Sequence, residues 1–533
     1  MIKVKILSSL EKVFKETEPE CNERNVYSML SGERLSFQVA FSSDSNEEVA
    51  VTADDKYSQY FNIYTVNDVP VKYAAADNTD DYFISKEPGD YPDLLIPGYK
   101  IEAEAGKWYS FWFEFSPVNL MGEHTINVSI NEISVTVKIN ILPVSLPEQK
   151  LIYTNWFHCD GICDYYNVDF FSEEFLDIFG KFVKTAANHG MNCILTPLFT
   201  PALDTQVGGE RTTAQLIDVK VKDGEYTFDF SKLKKFVDIC RNAGIEYFEM
   251  SHFFTQWGAE HSPKVMARDE SGNSIRFFGW ETPTYSDEYN RFLTELSMGL
   301  KEFIEENNLS QNVFFHISDE PSKEHLDVYL YRAALVKRLF PDYPVIDALS
   351  DYEFYKKGAV DIPIPCENNI EDFYGRVEHF WTYYCCGQSN EYVPNRFITM
   401  PSSRNRVFGI LAAKYDVEGF LQWGFNFYNS SLSVKHINPF EDTDAGGFLP
   451  AGDPFVVYPG ENGEPLCSLR LKVFNEALQD YRALKLLESL TGKDEINGLI
   501  GDITFKNYPH NADWLLDLRE LINSKIQSNF KIA

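Results

Sequence analysis

The first part of the chain contains segments in which apolar and polar residues alternate with a period of two. The clearest segments cover residues 34–41, 108–115, 124–130 and 133–142. This alternation is typical of strands with one buried and one exposed face, and turn residues separate the segments at short intervals. The pattern therefore predicts an antiparallel β-sandwich over residues 1–147.

Beyond the proline-containing boundary at 143–150, short apolar segments alternate with longer amphipathic ones. Eight segments have the character of strands: 152–158, 191–197, 245–251, 313–318, 343–349, 361–365, 379–384 and 419–425. Amphipathic segments predict helices over 173–188, 231–243, 287–307, 323–340, 405–415 and 469–490. The repeated strand–helix order predicts a (β/α)8 TIM-type barrel over residues 148–492, with a doubly wound open sheet as the alternative.

A last amphipathic segment, 511–530, lies in a predicted C-terminal helical extension, 493–533, that we expect to pack on the barrel. The predicted fold class is thus α/β overall, with a β-sandwich domain followed by a (β/α)8 domain. The sequence pattern does not predict the oligomeric state.

Charge and composition exclude several kinds of partner. The formal net charge is -32, which argues against binding to nucleic acid or to anionic membrane surfaces. No stretch is apolar over the 18 or so residues that a membrane-spanning helix needs, so membrane insertion is not expected. The nine cysteines are scattered, and the first residues, M-I-K-V-K-I-L, lack the features of a secretory signal. We therefore expect reduced thiols and a cytoplasmic location.

The stretch V-F-F-H-I-S-D-E-P carries the strongest candidate chemistry. Of four Asp-Glu dipeptides in the chain, only Asp319-Glu320 ends a continuous apolar strand. The predicted strand is the fourth, and active sites of such barrels lie at the carboxyl ends of the strands. Adjacent side chains on a regular strand point to opposite faces, but Pro321 is expected to end the pairing and to hold Glu320 in an extended or polyproline conformation. Both carboxylates can then face one ligand.

Two adjacent carboxylates suggest a division of labour. One acts as general acid and base, and the other handles a group near the anomeric carbon of a sugar, whereas conventional glycosidases take their two carboxylates from different strands. Neighbouring charges also raise one another's pKa, which helps an acid to stay protonated near neutral pH. The alternatives are a solvated loop or helix cap, and a metal site that includes His316.

The sequence around these residues resembles glycoside hydrolase family 123, the β-N-acetylgalactosaminidases. H-I-S-D-E-P, the run 406–428, V-V-Y-P-G at 456–460 and the segment 468–484 carry the resemblance in order along the chain. The loop 444–455 departs from the family's aromatic-rich glycine loop. The resemblance implies a sandwich followed by a barrel, and exo-acting, retaining hydrolysis of a terminal β-linked GalNAc.

The resemblance also implies roles for the two acids in substrate-assisted catalysis. The 2-acetamido oxygen attacks its own anomeric carbon and forms an oxazoline intermediate. Asp319 accepts the acetamido N–H and stabilises the developing charge, and Glu320 protonates the leaving oxygen and then deprotonates water. A conventional double-carboxylate retaining glycosidase and a non-catalytic carbohydrate-binding protein stay open as alternatives.

Six residues near predicted strand ends are candidates for binding the sugar: Trp156, His158, Trp257, Tyr383, Trp423 and Asn426. Tryptophans stack on sugar rings, and histidine or asparagine can hydrogen-bond hydroxyl groups, although aromatic residues at strand ends also occur as core.

Cysteine spacing does not predict a metal site. Cys159 and Cys163 lie next to His158, but no second ligand pair follows, so we interpret them as buried thiols. The adjacent Cys385 and Cys386 are interpreted as structural. Neither a metal nor a cofactor is predicted, and the expected ligand is a small glycan with terminal β-GalNAc.

Overall fold

The structure is a computed structural model that describes residues 1–530. Its N-terminal part contains β1 (Ile2–Ser8), β2 (Val26–Ser31), β3 (Leu35–Ser43), β4 (Glu47–Ala53), α1 (Asp55–Ser58), β5 (Phe61–Val71), β6 (Gly89–Pro97), β7 (Lys100–Ala103), β8 (Trp108–Phe115), β9 (Gly122–Ile130) and β10 (Ile133–Ser145). The four N-terminal strands predicted from the alternating pattern are all present. The period-two signal succeeds here because each strand has one face on the core.

These strands form two five-stranded sheets, in the orders β1-β3-β8-β5-β6 and β2-β10-β9-β4-β7. Phe37 and Phe113 from one sheet and Ile126 and Val137 from the other belong to one buried cluster, so the sheets pack face to face. The prediction of purely antiparallel pairing is wrong at one place, because β2 runs parallel to β10. The hairpin partner β9 already occupies one edge of β10, and β2 fills the other edge.

The rest of the chain alternates strands and helices. It contains β11 (Ile152–Asn155), α2 (Cys159–Tyr166), α3 (Glu173–Asn188), β12 (Cys193–Thr196), β13 (Asp218–Lys222), β14 (Glu225–Asp229), α4 (Ser231–Ala243), β15 (Tyr247–Met250), β16 (Val265–Arg268), β17 (Ser274–Phe278), α5 (Asp287–Glu306), β18 (Val313–Phe315), α6 (Leu326–Leu339), β19 (Ile346–Ala348), α7 (Tyr352–Lys356), β20 (Ile362–Ile364), β21 (Trp381–Tyr383), α8 (Ser402–Arg406), α9 (Phe408–Lys414), β22 (Gly419–Gln422), β23 (Val457–Pro459), β24 (Pro465–Cys467), α10 (Leu469–Thr491), α11 (Lys493–Ile500) and α12 (Ala512–Phe530).

A half-barrel of six parallel strands forms the centre of this part, in the order β18-β15-β12-β11-β22-β21. The strands β19 and β20 pair in parallel as a separate two-stranded sheet. Single parallel bridges connect the edges of the two sheets, one between Phe315 and Val345 and one between Cys366 and Tyr383. All the carboxyl ends of these strands therefore lie at the same side of the fold.

The eight predicted strands are all present but shorter than predicted, because the regular ladders cover only three or four residues each. The helices α3 and α4 have the predicted bounds. Ser172 caps α3 by accepting a hydrogen bond from the backbone N–H of Phe175 at 3.1 Å, which satisfies a free donor at the helix start. The predicted helix at 405–415 is divided into α8 and α9.

A further sheet and the predicted helices α10 and α12 complete the fold. The strands β13, β14, β16 and β17 form a four-stranded sheet inserted around α4 and β15. The helix α10 connects the two parts of the chain through buried ion pairs, Arg470–Asp93 at 2.8 Å and Lys472–Glu114 at 2.7 Å. The last helix contacts the N-terminal sheets, where Glu520 accepts from the hydroxyl of Ser28 at 2.5 Å.

Residues 531–533, the end of the predicted extension, lie outside the described residues. Within residues 1–530, no helix combines the length and the apolar character needed to cross a membrane.

Candidate active site

A cavity lies at the carboxyl ends of the parallel strands. Six of the eight residues predicted for the site line it: Trp156, Trp257, Asp319, Glu320, Tyr383 and Trp423. They come from five separate segments of the chain, which the parallel arrangement brings to one place because strand ends with the same direction meet at one edge.

The backbone of Asp319 and Glu320 is held by the neighbouring loops. The N–H of Glu320 donates to the carbonyl of Ala348 at 3.1 Å, and the N–H of Trp257 donates to the carbonyl of Asp319 at 3.0 Å. Glu320 has a φ of 43°, in the left-handed region. The predicted extended conformation of Glu320 before Pro321 is therefore wrong: the bond to Ala348 anchors a strained backbone, as is common at functional sites.

A buried ion-pair chain lies beneath the two acids. His316 contacts Glu249 through Nε2 and Asp347 through Nδ1, each at 2.8 Å. Burial disfavours the charged imidazolium, but the hydrogen bonds and charges of Asp347 and Glu249 raise the pKa of His316 to about 9. His316 is thus an imidazolium at neutral pH, and it compensates two buried carboxylates.

Asp347 also fixes the backbone that leads into the acid pair. One of its carboxylate oxygens accepts from the N–H groups of Ile317 and Ser318, both at 3.1 Å, and from the hydroxyl of Tyr329. Because these amides directly precede Asp319, the bonds from Asp347 on β19 help to fix the position of the two carboxylates that follow β18. The role of the H-I-S part of the motif is thus to connect the acids to a buried charged network.

The pKa of Asp319 is raised well above its usual range. Burial is the main cause, followed by the negative charges of Glu320 and Asp347, while His316 opposes the shift. Burial and these negative charges both favour the neutral form of Asp319.

Tyr383 contacts the second acid directly. Its hydroxyl donates to Oε1 of Glu320 at 2.5 Å, and its side chain is buried, with 5% of its surface exposed. Burial and the nearby charge of Glu320 raise the pKa of Tyr383 well above its ordinary value, so the hydroxyl stays a donor.

The three tryptophans at the cavity differ in how they are held. Trp156 is buried and donates from Nε1 to Glu249 at 3.0 Å. Trp423 donates from Nε1 to Asp453 at 2.9 Å. Trp257 is 46% exposed, so its ring extends from the cavity into solvent. The first two rings have fixed orientations, which suits stacking on one sugar ring.

The structure does not bring His158 and Asn426 to the cavity. The side chain of Asn426 accepts from the N–H of His158 at 2.8 Å and donates to its carbonyl at 3.0 Å. The His158 ring contacts the Trp423 carbonyl at 2.8 Å, and Arg211 donates to its other nitrogen at 3.1 Å. Burial and the Arg211 charge lower the pKa of His158 to about 4. Both residues therefore support the backbone around Trp423.

Several residues that the sequence did not single out as ligands line the cavity as well: Leu203, Asp204, Gln256, Cys385, Cys386 and Leu449. Cys385 and Cys386, interpreted from the sequence as structural, thus lie beside the acid pair. Asp204 and Gln256 follow the second and third strands, and that position is the one signal by which they could have been found. Loop residues of these types are too common for the signal to be specific.

One group of buried side chains has the composition of a metal site. His252, His316 and Asp347 bring their ligand atoms within 4.8 Å of one another. Both nitrogens of His316 already hydrogen-bond carboxylates, Nδ1 to Asp347 and Nε2 to Glu249. A cation bound by the His316 ring would have to displace one of these ring protons and break its hydrogen bond. The arrangement favours an ion-pair chain over a metal centre.

Comparison with known proteins shows the family to which the chain belongs. The model of the glycoside hydrolase 123 catalytic domain matches residues 156–487, which is more than half of the 533-residue chain. No curated protein matches the chain significantly.

Among solved structures, a family 123 glycoside hydrolase from Clostridium perfringens, described for glycolipid glycan hydrolysis, has a TM-score of 0.74 at 17% identity, covering 99% of this chain and 98% of that one. A β-D-glucuronidase from Dictyoglomus thermophilum has a TM-score of 0.35 at 9% identity, covering 89% of this chain and 68% of that one, and this likeness is too low to carry an argument. The first match shows that the fold is shared, and the family model shows that the chain belongs to glycoside hydrolase family 123 and is a glycoside hydrolase.

Proposed function

We propose that the protein is a retaining exo-β-N-acetylgalactosaminidase that releases terminal β-linked GalNAc from glycans or glycolipid oligosaccharides. The observation that carries the proposal is that Asp319 and Glu320, adjacent in sequence, both line one cavity with two fixed tryptophans. The Clostridium perfringens relative, described for glycolipid glycan hydrolysis, supports the substrate class.

The proposed reaction uses the substrate's own acetamido group. Its carbonyl oxygen attacks the anomeric carbon while the glycosidic bond breaks, and Glu320 gives its proton to the leaving oxygen. Asp319 accepts the acetamido N–H and stabilises the positive charge of the oxazoline intermediate. Glu320 then removes a proton from water, which attacks the anomeric carbon and restores the acetamido group with overall retention.

The raised pKa of Asp319 supports a role for the substrate in setting the charge of this residue. Burial and the charge of Glu320 favour the neutral form of Asp319. An acetamido N–H that donates to Asp319 favours its ionised form. Binding of the acetamido group therefore favours the charged Asp319 that the positive intermediate needs.

The predicted (β/α)8 barrel belongs to the same proposal. Strand β11 pairs with β22, so the first of the eight strands lies beside the last, which is not the order of a doubly wound sheet. The parallel bridges Phe315–Val345 and Cys366–Tyr383 support closure at the remaining two edges. We propose a sandwich domain over 1–147, the barrel over 148–492 and a helical extension over 493–533. The nine free cysteines support a cytoplasmic location.

Turnover of aryl β-GalNAc against aryl β-GlcNAc tests the activity. The proposal expects release from the GalNAc substrate, and no release from either substrate would contradict it. A thiazoline that mimics the oxazoline should inhibit competitively. A conventional double-carboxylate enzyme would not bind the thiazoline tightly and would instead form a covalent intermediate on a carboxylate of another strand.

A further inference from the structure

We propose that Asp204 and Gln256 form a binding site for the C3 and C4 hydroxyl groups of the terminal sugar and thereby set the preference for GalNAc. This inference rests on the proposed function and adds to it the part of the substrate that Asp319 and Glu320 do not contact.

Gln256 lines the cavity and has an unused hydrogen-bond donor. Its Oε1 accepts from the backbone N–H of Asp204 at 2.5 Å, and this bond fixes the orientation of the amide. Its Nε2 is buried and has no hydrogen-bond partner among residues 1–530, while the whole residue is 9% exposed. An amide N–H₂ buried without a partner costs free energy unless a ligand accepts from it.

Asp204 presents the complementary acceptor. Its Oδ2 accepts from the N–H of Leu432 at 3.0 Å, and no donor within the described part of the chain contacts Oδ1. The residue lines the cavity, and its φ of 39° lies in the left-handed region. The bonds to Gln256 and Leu432 hold this conformation, which costs energy for a residue other than glycine and is typical of functional positions.

A donor beside an acceptor matches a pair of neighbouring hydroxyl groups. Each sugar hydroxyl both donates and accepts, so a carboxylate oxygen and an amide N–H₂ can bind two adjacent hydroxyls together. The bond to the free Oδ1 of Asp204 is the stronger of the two, because charge-assisted hydrogen bonds are about twice as strong as neutral ones.

The order of residues around the cavity identifies which hydroxyls these are. Glu320, held by Tyr383, serves the leaving oxygen at C1, and Asp319 serves the acetamido group at C2. Gln256 follows β15, the neighbour of β18 in the sheet, and the N–H of the next residue, Trp257, bonds the backbone of Asp319. Tyr383 ends β21, which lies at the opposite end of this sheet from β18. Around the ring, the groups that follow C2 are the hydroxyls at C3 and C4. The C4 hydroxyl is the one whose orientation distinguishes GalNAc from GlcNAc.

Calorimetric binding of GalNAc, 3-deoxy-GalNAc and 4-deoxy-GalNAc tests the inference. Asp204→Asn keeps an acceptor for Leu432 and removes the charge, and Gln256→Glu keeps the acceptor for Asp204 and removes the donor. We expect each variant to bind GalNAc roughly 10- to 100-fold more weakly than the wild type. Asp223→Asn is the matched control, because Asp223 is exposed and also has a left-handed φ, of 50°.

The deoxy sugars separate a direct contact from a general disturbance. If the pair binds these hydroxyls, the wild type loses affinity for a deoxy sugar, and the variants show little further loss with that sugar. Equal relative losses in the wild type and the variants would overturn the inference, as would failure of the wild type to bind any of the three sugars. In turnover, Asp204→Asn should also reduce the ratio of kcat/KM for aryl β-GalNAc to that for aryl β-GlcNAc.

Two outcomes distinguish this inference from the proposed function. Turnover of aryl β-GalNAc by the wild type with no coupling to the deoxy sugars would leave the activity standing and remove the hydroxyl site. Coupling to the deoxy sugars without turnover of aryl β-GalNAc would support the hydroxyl site and contradict the proposed activity. Restoration of Asp204→Ala activity by azide would identify Asp204 as a nucleophile, which would overturn both.

Discussion

The hydroxyl of Tyr383 donates a hydrogen bond to Oε1 of Glu320 at 2.5 Å. Tyr383 ends β21 and Glu320 follows β18, so the bond spans the cavity between strands 63 residues apart in the chain. It fixes one oxygen of the acid and leaves the other free to face the glycosidic oxygen. Tyr383 is therefore expected to orient the general acid.

Replacing Tyr383 by phenylalanine should reduce kcat/KM by roughly 10-fold, which corresponds to the loss of about 1.4 kcal/mol from one hydrogen bond. The loss should be largest for substrates with poor leaving groups, whose departure needs a well-placed proton. Steady-state kinetics with a series of aryl glycosides measures it. Tyr384→Phe is the control, because the Tyr384 hydroxyl bonds Asn405 at 3.3 Å and does not line the cavity. Equal losses in the two variants would contradict a specific role of Tyr383.

Glu320→Gln and Asp319→Asn should differ in their dependence on the leaving group. Removing the acid matters mainly for poor leaving groups, because good ones depart without protonation. Removing the charge of Asp319 weakens the stabilisation of the intermediate, so Asp319→Asn should lower kcat/KM by roughly 100-fold or more with both kinds of substrate. Plots of log kcat against leaving-group pKa test this: a steep slope is expected for Glu320→Gln and a nearly unchanged slope for Asp319→Asn. Identical slopes for the two variants would contradict the assignment of Glu320 as the general acid and of Asp319 as the residue that stabilises the intermediate.

Asp453 should make stability depend on pH. It is fully buried, and burial raises its pKa from 3.8 to about 6, although Arg396, Trp423 and Cys386 favour its charged form. A carboxyl with a raised pKa binds more protons in the folded state, so the folded protein loses stability as the pH rises from about 4 to 6. Asp453→Asn keeps an acceptor for Trp423 and does not titrate.

The free energy of unfolding of Asp453→Asn relative to the wild type should therefore increase by up to about 3 kcal/mol between pH 4 and pH 6.5 and stay constant above it. Denaturant titrations of both proteins across this range measure the difference, in which other titrating groups cancel. Parallel stability curves would contradict a raised pKa of Asp453 in the folded state.

His316 should contribute stability that also falls as the pH rises, but in a higher pH range. Its pKa is raised to about 9, so the contribution is fully present below pH 6.5 and is lost as the pH rises through 9. Replacement by glutamine leaves Glu249 and Asp347 buried without their cation, at a cost of about 3–5 kcal/mol. The difference from the wild type should be largest near pH 6 and smaller near pH 9.5.

His252 provides the matched control for His316. Its ring stacks on that of His316 with centroids 4.3 Å apart, and neither of its nitrogens has a partner among the side chains and backbone that the structure describes. The substitution His252→Phe therefore removes no hydrogen bond, and we expect it to change the free energy of unfolding by less than about 1.5 kcal/mol. A loss comparable with that of His316→Gln would show that the two imidazoles act together, for example through a bound cation.

Much of the fold follows from local pattern. The period-two alternation and the helical period identify four of the ten N-terminal strands, all eight parallel strands and the exact span of α3 and α4, because these signals depend on which face of an element is buried. The order of strands and helices places Asp319 and Glu320 at a strand end, and hence at the edge of the sheet where a cavity forms. The family resemblance rests on the same local segments.

The tertiary structure alone decided the conformation and partners of the site. Glu320 has a left-handed backbone because Ala348 binds its N–H, and the pKa of His316 is set by Glu249 and Asp347 from two other strands. The side chain of Asn426 bonds the backbone of His158, and neither residue lines the cavity. Asp204 and Gln256 do meet at the cavity, although 52 residues separate them in the chain. Periodicity records only the burial of each residue within its own element. Hydrogen bonds and charges between distant segments depend on how strand ends converge, which no local pattern contains.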